Sequence, residues 1–238
     1  MKKFDQLTEI YSHAFQWPFR MHIDIPTIKP YIDKLETLAI LDYGCGAGFI
    51  SHWLEKEGAK NIVGFDISSN MLNLARKNAK LNNSNIIYTS NLDNYFEYFD
   101  LALAIYVFPY CQHTNDIHSI VRSIYRVLKP NGRLTILTIN PDFSGNSEYY
   151  YNYGFRLIEK QPRKDESSIH FNICLPPYNE TIQAYYYSYN TLGNTILQAG
   201  FSYLQYGNII ADHSETTELY LDYLQCPHAL LITASKTA

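Results

Sequence analysis

The stretch Ile40-Leu-Asp-Tyr-Gly-Cys-Gly-Ala-Gly-Phe49 decides how this chain is read. An apolar run, Leu38 to Leu41, has the make-up of a buried strand. An acid, Asp42, follows, and then glycine at every second position: Gly44, Gly46 and Gly48. Behind them, Phe49-Ile-Ser-His-Trp-Leu-Glu55 carries apolar residues at helical spacing. Strand, glycine turn and helix in that order make a place where backbone closely approaches a ligand, because glycine has no Cβ to stand between them. The acid narrows the ligand. A pyrophosphate would meet the like charge of Asp42, so the turn suits a ligand that carries an ammonium group and no phosphate.

The next segment, Asn61-Ile-Val-Gly-Phe-Asp66, reads as a second strand that ends in an acid 20 positions after Gly46. A carboxylate at that strand end can accept from both hydroxyls of an unphosphorylated ribose. Ser68 and Ser69 are candidate caps for a helix over Asn70 to Leu81, whose apolar positions are Met71, Leu74, Ala75 and Leu81. The ordered series of strand, glycines, helix, strand, acid and helix carries far more weight than the glycines alone.

The rest of the chain bounds the answer. With 238 residues it is long enough for one domain plus elaborations. Its hydrophobic fraction of 46% and charged fraction of 18% describe a soluble globular protein, and a net charge of −4 gives no general attraction to nucleic acid or anionic membrane. Four scattered cysteines, Cys45, Cys111, Cys174 and Cys226, show neither zinc spacing nor a disulfide framework. The start, Met1-Lys-Lys-Phe-Asp-Gln-Leu, has no apolar signal segment and no run reaches membrane-spanning length, so the expected location is cytoplasmic. The oddity is 22 tyrosines against 2 tryptophans, many of them between Tyr149 and Tyr189. Two readings stay open: tyrosines that fill strand faces, or a cap lined with aromatics that stack on a planar substrate.

Along the chain, residues 4 to 14 have helical spacing at Phe4, Leu7, Ile10 and Tyr11, and Thr27 is a candidate cap between Pro26 and Pro30. Strand and helix then alternate to Asn140, as a doubly wound sheet requires. A helix over Asp116 to Leu128 presents Ile117, Ile120, Val121, Ile124 and Leu128 on one face and stops at Pro130-Asn-Gly132. From Pro141 to Tyr189 the alternation fails. Tyr153–Ile158 and Ile169–Leu175 alternate like two strands around the charged turn 160–168, which predicts a hairpin over the carboxyl edge of the sheet. A helix over Thr191 to Ala199 and strands over Phe201–Tyr206 and Ala229–Ala234 complete the core.

Residues 38 to 140 resemble the class I S-adenosylmethionine-dependent methyltransferases. Asp42-Tyr-Gly-Cys-Gly-Ala-Gly48 is similar to their cofactor loop, and Phe65-Asp-Ile-Ser-Ser-Asn-Met71 to their ribose-binding strand end and helix start. Phe99-Asp-Leu-Ala-Leu-Ala-Ile-Tyr106 is similar to the fourth strand, whose tip faces the reacting methyl, and Val127-Leu-Lys-Pro-Asn-Gly-Arg-Leu134 to the turn into the fifth. The resemblance implies a doubly wound, seven-stranded Rossmann-like sheet with an antiparallel last strand, an N-terminal helical lid and a β-hairpin cap after the fifth strand. It divides the chain into a lid (1–37), a cofactor-binding core (38–140), a substrate cap (141–189) and a completion of the sheet (190–238). The implied cofactor is S-adenosyl-L-methionine, held by Asp42, Gly44, Gly46, Gly48, Asp66, Ile67, Met71, Asn91, Leu92 and Tyr106, with Tyr11 on the lid. One position departs. Where the family has Asp after the third strand, this chain reads Thr89-Ser-Asn91, so the adenine contact loses a charge or shifts to Asp93.

Methyl transfer from a sulfonium mainly requires alignment and desolvation, and neither a metal nor a covalent nucleophile. Tyr106 and Tyr110 are placed for cation–π contact with the sulfonium. His113, His170 and His213 are the candidate bases, although a nitrogen acceptor of low pKa needs none, and no cluster shows metal spacing. Two motifs argue against nucleic acid as acceptor. Pro176-Pro-Tyr178 lies in the cap and not after the fourth strand, and Pro109-Tyr-Cys111 breaks the Pro-Cys pair of cytosine enzymes. Arg20…Ile25-Pro-Thr27, Tyr150-Tyr-Asn-Tyr-Gly-Phe155 and Tyr220-Leu-Asp-Tyr…Pro227 look like a small-molecule branch that includes toxoflavin synthase-like N-methyltransferases. That implies a planar small-molecule acceptor methylated at nitrogen or oxygen, and a monomer or homodimer. The alternative is an S-adenosylmethionine-binding protein without turnover, a sensor or an inactive partner subunit. A nucleotide dehydrogenase comes third, since it would have glycine in place of Phe49.

Overall fold

The computed structural model describes residues 19–159, 161–176, 179–212 and 217–237, the first three of the last segment as backbone only. The expected leader helix with Tyr11 lies outside the described residues, as do His213, Pro177 and Tyr178. Seven strands form the main sheet: β1 (Ala39–Tyr43), β2 (Asn61–Phe65), β3 (Ile87–Thr89), β4 (Phe99–Ile105), β5 (Leu128–Ile139), β9 (Phe201–Gly207) and β10 (Ala229–Lys236). Their order is β3-β2-β1-β4-β5-β10-β9. β1 to β5 run parallel, and β10 enters antiparallel between β5 and β9. The reversed strand is therefore last in the chain but interior in the sheet. All five residues of β1 are buried, because helices cover both faces and leave no side for polar groups.

The helices of the core are α2 (Phe49–Lys56), α3 (Ser69–Leu81), α4 (Thr114–Val127), α5 (Tyr189–Gln198) and α6 (Thr217–Gln225). α3 starts at the expected cap: the Ser68 hydroxyl accepts from the Met71 N–H at 3.3 Å. α4 starts earlier than Asp116, because the Asp116 carboxylate reaches back to accept from the His113 N–H at 3.0 Å. It buries Ile117, Val121, Ile124 and Val127. The Pro130-Asn-Gly132 turn lies within β5, where pairing with β4 jumps from Phe99–Leu128 to Leu101–Arg133 and the intervening residues bulge outward.

Two expectations are corrected, and two further elements join the fold. Thr27 caps no helix. A π-helical turn, Arg20–Asp24, runs directly into α1 (Ile25–Ile28). The buried Thr27 hydroxyl instead accepts from the Ile210 N–H (2.9 Å) and donates to the Ile210 carbonyl (3.2 Å), which ties the leader to the segment that follows β9. The cap is a three-stranded meander of β6 (Phe155–Glu159), β7 (Ser168–Ile173) and β8 (Glu180–Tyr185), not a hairpin. β8 was missed because its buried positions are Ile182 and the weak strand former Ala184. Helix α6 was missed too, since its buried Tyr220 and Tyr223 read as strand formers when taken alone. No helix among the described residues is long and apolar enough to cross a membrane.

Candidate active site

A cavity of about 280 Å³ opens at the carboxyl ends of β1, β2 and β4. The strand order reverses between β1 and β4, so this is the crevice that open α/β sheets leave for ligands. Asp42, Gly44, Gly46, Asp66, Ile67, Met71 and Tyr106, all expected from the sequence, line it together with Tyr110. Gly48, Asn91, Leu92, His113 and His170 are not among the lining residues.

The glycine loop is wired to the second acid. Asp66 Oδ2 accepts from the Gly46 N–H at 2.9 Å and Oδ1 from the Ser68 N–H at 2.8 Å. Burial raises the Asp66 pKa, and these two N–H groups work against that rise. The Ile67 N–H also acts on this carboxylate, and of its roughly four lone-pair sites at least one remains for a ligand. Asp42 is almost wholly buried and accepts from the Ser51 hydroxyl at 2.5 Å. Burial pushes its carboxyl up to about 6, with the Ser51 hydrogen bonds opposing and the Asp66 charge adding to the rise. A cation beside Asp42 would hold it ionised.

The glycines turn out to have different reasons. At Gly46, with φ +54, an added Cβ would meet nothing within 4 Å, so the loop stands open to the cavity there. At Gly48, with φ +89, it would collide with the hydroxyl of the buried Tyr88. Gly48 is needed for packing inside the protein, whereas Gly46 leaves space for something else. Ile67, 64% exposed beside Asp66, offers an apolar face at the cavity mouth.

Asn91 is exposed and folded on itself: its Oδ1 accepts from the Asp93 N–H at 2.6 Å. His113 lies at the start of α4 with its Nδ1 3.4 Å from Glu166, and His170 is half-buried on β7. The geometry brings neither histidine to the cavity.

Tyr106 is the unusual residue. It follows β4 with φ +53, a conformation that non-glycine residues adopt only when their surroundings enforce it. Its N–H donates to the Leu137 carbonyl at 2.7 Å. Its ring lies under the Arg20 guanidinium, 4.9 Å from the centroid, and runs parallel to the His228 imidazole. Its hydroxyl donates to Asp24 Oδ1 at 3.0 Å and lies 3.2 Å from His228 Nε2. The Tyr106 ring thus already serves a guanidinium, which leaves Tyr110 the better placed to face a ligand cation.

A second, narrower cavity of about 30 Å³ shares Arg20, Tyr106 and Tyr110 with the first and runs under the cap. Phe171, Ile182 and Ala184 of the cap form its roof, with Phe19, Pro109, Ile139 and His228 opposite. The tyrosines of the cap segment do something else: Tyr150 and Tyr153 are buried, Tyr150 stacked on Phe155 and Tyr153 on Tyr220, with Tyr223 edge-on, in the core shared by the cap and α6.

These features have counterparts. The family model for the methyltransferase domain matches residues 34–189. The chain belongs to the methyltransferase domain family. Among curated relatives, a ubiquinone biosynthesis O-methyltransferase of Coxiella burnetii is 28% identical over 162 residues, 63% of this chain and 66% of the relative. A ribosomal protein L11 methyltransferase of Hydrogenovibrio crunogenus is 26% identical over 135 residues, 56% of this chain and 44% of the relative. The chain thus aligns with less than two thirds of the length of these relatives, and their names attach to different acceptors. A solved S-adenosylmethionine-dependent methyltransferase from Mesorhizobium loti shares the fold at a TM-score of 0.62 and 20% identity, covering 89% of this chain and 96% of that one. One from Clostridium acetobutylicum does so at 0.62 and 14%, covering 97% and 99%.

Reading the sequence missed several residues that this methyltransferase-family chain gathers at the two cavities. Arg20 and Asp24 carry one legible signal, opposite charges four residues apart in an apolar helical stretch. Ser51 and His228 carry none, because each meets its partner only through the packing of α2 on β1 or of β10 beside β5.

Proposed function

We propose that this protein binds S-adenosylmethionine in the larger cavity and transfers its methyl group to a nitrogen or oxygen of a planar small molecule that enters beneath the cap. The observation that carries this reading is the open Gly46 position between two acids in a cavity that shares Arg20, Tyr106 and Tyr110 with the apolar cavity beside it. Asp42 takes the ammonium end of the cofactor, and Asp66 accepts from the ribose hydroxyls with the lone-pair capacity its backbone donors leave free. Ile67 and Met71 flank the adenine. Tyr110 faces the sulfonium, where an aromatic ring contributes about 0.5–2 kcal/mol.

When bound, the cofactor supplies a methyl carbon on a positively charged sulfur, which leaves with the electrons of the broken bond. The protein's part is to exclude water and hold the acceptor in line, an effect that can reach roughly 7–11 kcal/mol. The apolar walls Phe19, Ile139, Phe171 and Ile182 do the first. The rigid tip of β4, pinned by the Tyr106 N–H on β5, does the second.

Isothermal titration with S-adenosylhomocysteine tests the cofactor half, and absence of binding would sink it. Transfer of label from methyl-labelled cofactor to a panel of phenols and nitrogen heterocycles tests the acceptor half. The narrowness of the second cavity favours one other reading, a cofactor-binding protein without turnover. Tight homocysteine-cofactor binding with no labelled product from any acceptor would select it.

A further inference from the structure

Three buried side chains, Asp24, Tyr223 and His228, and the partly buried Tyr106 form one hydrogen-bonded line from three separate parts of the chain at the junction of the two cavities. The Tyr223 hydroxyl on α6 lies 2.6 Å from His228 Nδ1, His228 Nε2 lies 3.2 Å from the Tyr106 hydroxyl, and that hydroxyl donates to Asp24 Oδ1 at 3.0 Å. One arrangement of protons satisfies every member. Tyr223 donates to Nδ1, Nε2 then carries the imidazole hydrogen and donates to Tyr106, and Tyr106 donates to Asp24. All donors point the same way, and the line ends on a carboxylate. Asp24 Oδ2 makes no hydrogen bond among the described residues and lies 3.4 Å from Arg20 Nη1. The line touches open space at Tyr106, which borders both cavities as Arg20 beside it does, and at His228, which borders the second. By the measure of roughly 10–15 Å³ per water, that second cavity admits about two water-sized groups. It takes the reacting edge of a molecule, not a whole ring.

We infer that the second cavity receives the acidic hydroxyl of a phenol or enol, and that Asp24, acting through Tyr106, draws off its proton while Arg20 faces the oxyanion. The inference rests on the methyltransferase reading above and narrows its acceptor to oxygen. In the step, the acceptor O–H bond breaks and its proton moves to Tyr106 Oη. The proton already on Tyr106 moves to Asp24 Oδ1, and the acceptor oxygen keeps the electron pair. Tyr106 carries no net charge throughout, and Asp24 is the residue whose charge changes.

The surroundings suit that change. Burial raises the Asp24 carboxyl to about 7, against the pull of Arg20 and of the Tyr106 hydrogen bond, so it can hold a proton near neutrality. Burial and the Arg20 charge hold His228 down at about 3, so the imidazole stays neutral and acts as a fixed donor. Both Tyr106 and Tyr223 are raised well above the ordinary phenol range, which keeps them protonated. Among the described residues, Arg20, Tyr106, His228, Tyr223 and Tyr150 are the titratable groups that act on this line from the elements around it. A neutral acceptor nitrogen would need neither the carboxylate nor the guanidinium.

The test uses 4-cyanophenol, whose ionisation shifts its ultraviolet absorption, at a pH just above neutrality where the free phenol is protonated. It is titrated into the full-length protein with and without S-adenosylhomocysteine, and proton release is measured by calorimetry in buffers of different ionisation enthalpy. In the wild type the bound phenol should be ionised with well under one proton per site released to the buffer, because the Asp24 carboxylates ionised at that pH keep it. Asp24→Asn should still bind the anion but release about one proton per site, and Asp24→Glu should restore retention. Tyr106→Phe, which leaves Asp24 in place, should release the proton as well and answers the question if Asp24→Asn does not fold. Arg20→Gln should weaken phenol binding about tenfold or more. A bound phenol that stays neutral in the wild type overturns the inference, as does equal proton release from wild type and Tyr106→Phe, or unchanged affinity in Arg20→Gln. If S-adenosylhomocysteine binds in those cases, the cofactor reading stands and only this one falls.

Discussion

Replacing Gly46 and Gly48 by alanine, one at a time, should damage two different properties of this protein. At Gly46 the new methyl group has nothing within 4 Å, so the cost to the unliganded fold is the left-handed backbone alone, about 1–2 kcal/mol. That methyl projects where the proposed cofactor must lie, and S-adenosylhomocysteine affinity should fall at least tenfold, about 1.4 kcal/mol. At Gly48 the same backbone cost applies, and the methyl also overlaps the Tyr88 hydroxyl. Tyr88 cannot retreat, because its ring is packed just as closely against Gly64 on β2. Overpacking of this kind adds about 1–3 kcal/mol, for a total of about 2–5 kcal/mol. At roughly 2–4 °C per kcal/mol for a chain of this size, Gly48→Ala should melt about 4–20 °C below wild type, and Gly46→Ala only about 2–8 °C below. Thermal melts without ligand, paired with calorimetric titration of S-adenosylhomocysteine well below either melting point, separate the two effects. Wild-type affinity in Gly46→Ala, or a Gly48→Ala protein as stable as Gly46→Ala, would refute the division of labour.

Three further outcomes are expected. If Asp42 holds the cofactor's ammonium, binding lowers its pKa from about 6, so S-adenosylhomocysteine should displace a fraction of a proton near that pH and almost none well above it; calorimetry in paired buffers reads the release, and Asp42→Asn should lose it. His228, held at about 3 in the fold against 6.5 when unfolded, makes the unfolded chain the better proton binder between those values, so its contribution to stability declines as pH falls from 6.5 toward 3. Asp24 and Asp42, raised in the fold, pull the opposite way, so the measurement is the stability gap between wild type and His228→Gln, which should narrow from neutral pH toward about 4 and would contradict this account by staying constant. Thr27→Val keeps the shape but strands the Ile210 N–H and carbonyl, and denaturant unfolding should show a loss of about 1–3 kcal/mol; no loss would mean that water replaces the hydroxyl.

Much of the fold was legible in the order of residues. The run Leu38–Leu41, the glycines after it, Asp66 at the end of β2 and the apolar face of α4 are local patterns, and each is dictated by covalent spacing and burial within a few turns of chain. The same holds for Ser68, whose cap lies three residues from its donor. β8 and α6 were not legible. A strand of alternating Thr, Ile, Gln and Ala, or a helix whose buried positions are tyrosines, carries no strong period until neighbours decide which face is inside.

What the sequence by itself determined is the end of the site proposed for the cofactor, since Asp42, Gly46 and Asp66 lie within one strand–turn–helix–strand unit and short connections leave them little freedom. Only the tertiary structure decided the end proposed for the acceptor. Arg20, Asp24, Tyr106, Tyr223 and His228 are separated by up to 208 positions, and Phe171 and Ile182 come from an inserted sheet. Their meeting depends on β10 threading antiparallel between β5 and β9, which brings His228 to the tip of β4. No local spacing encodes that meeting, because it is the outcome of burying apolar surface across the whole sheet.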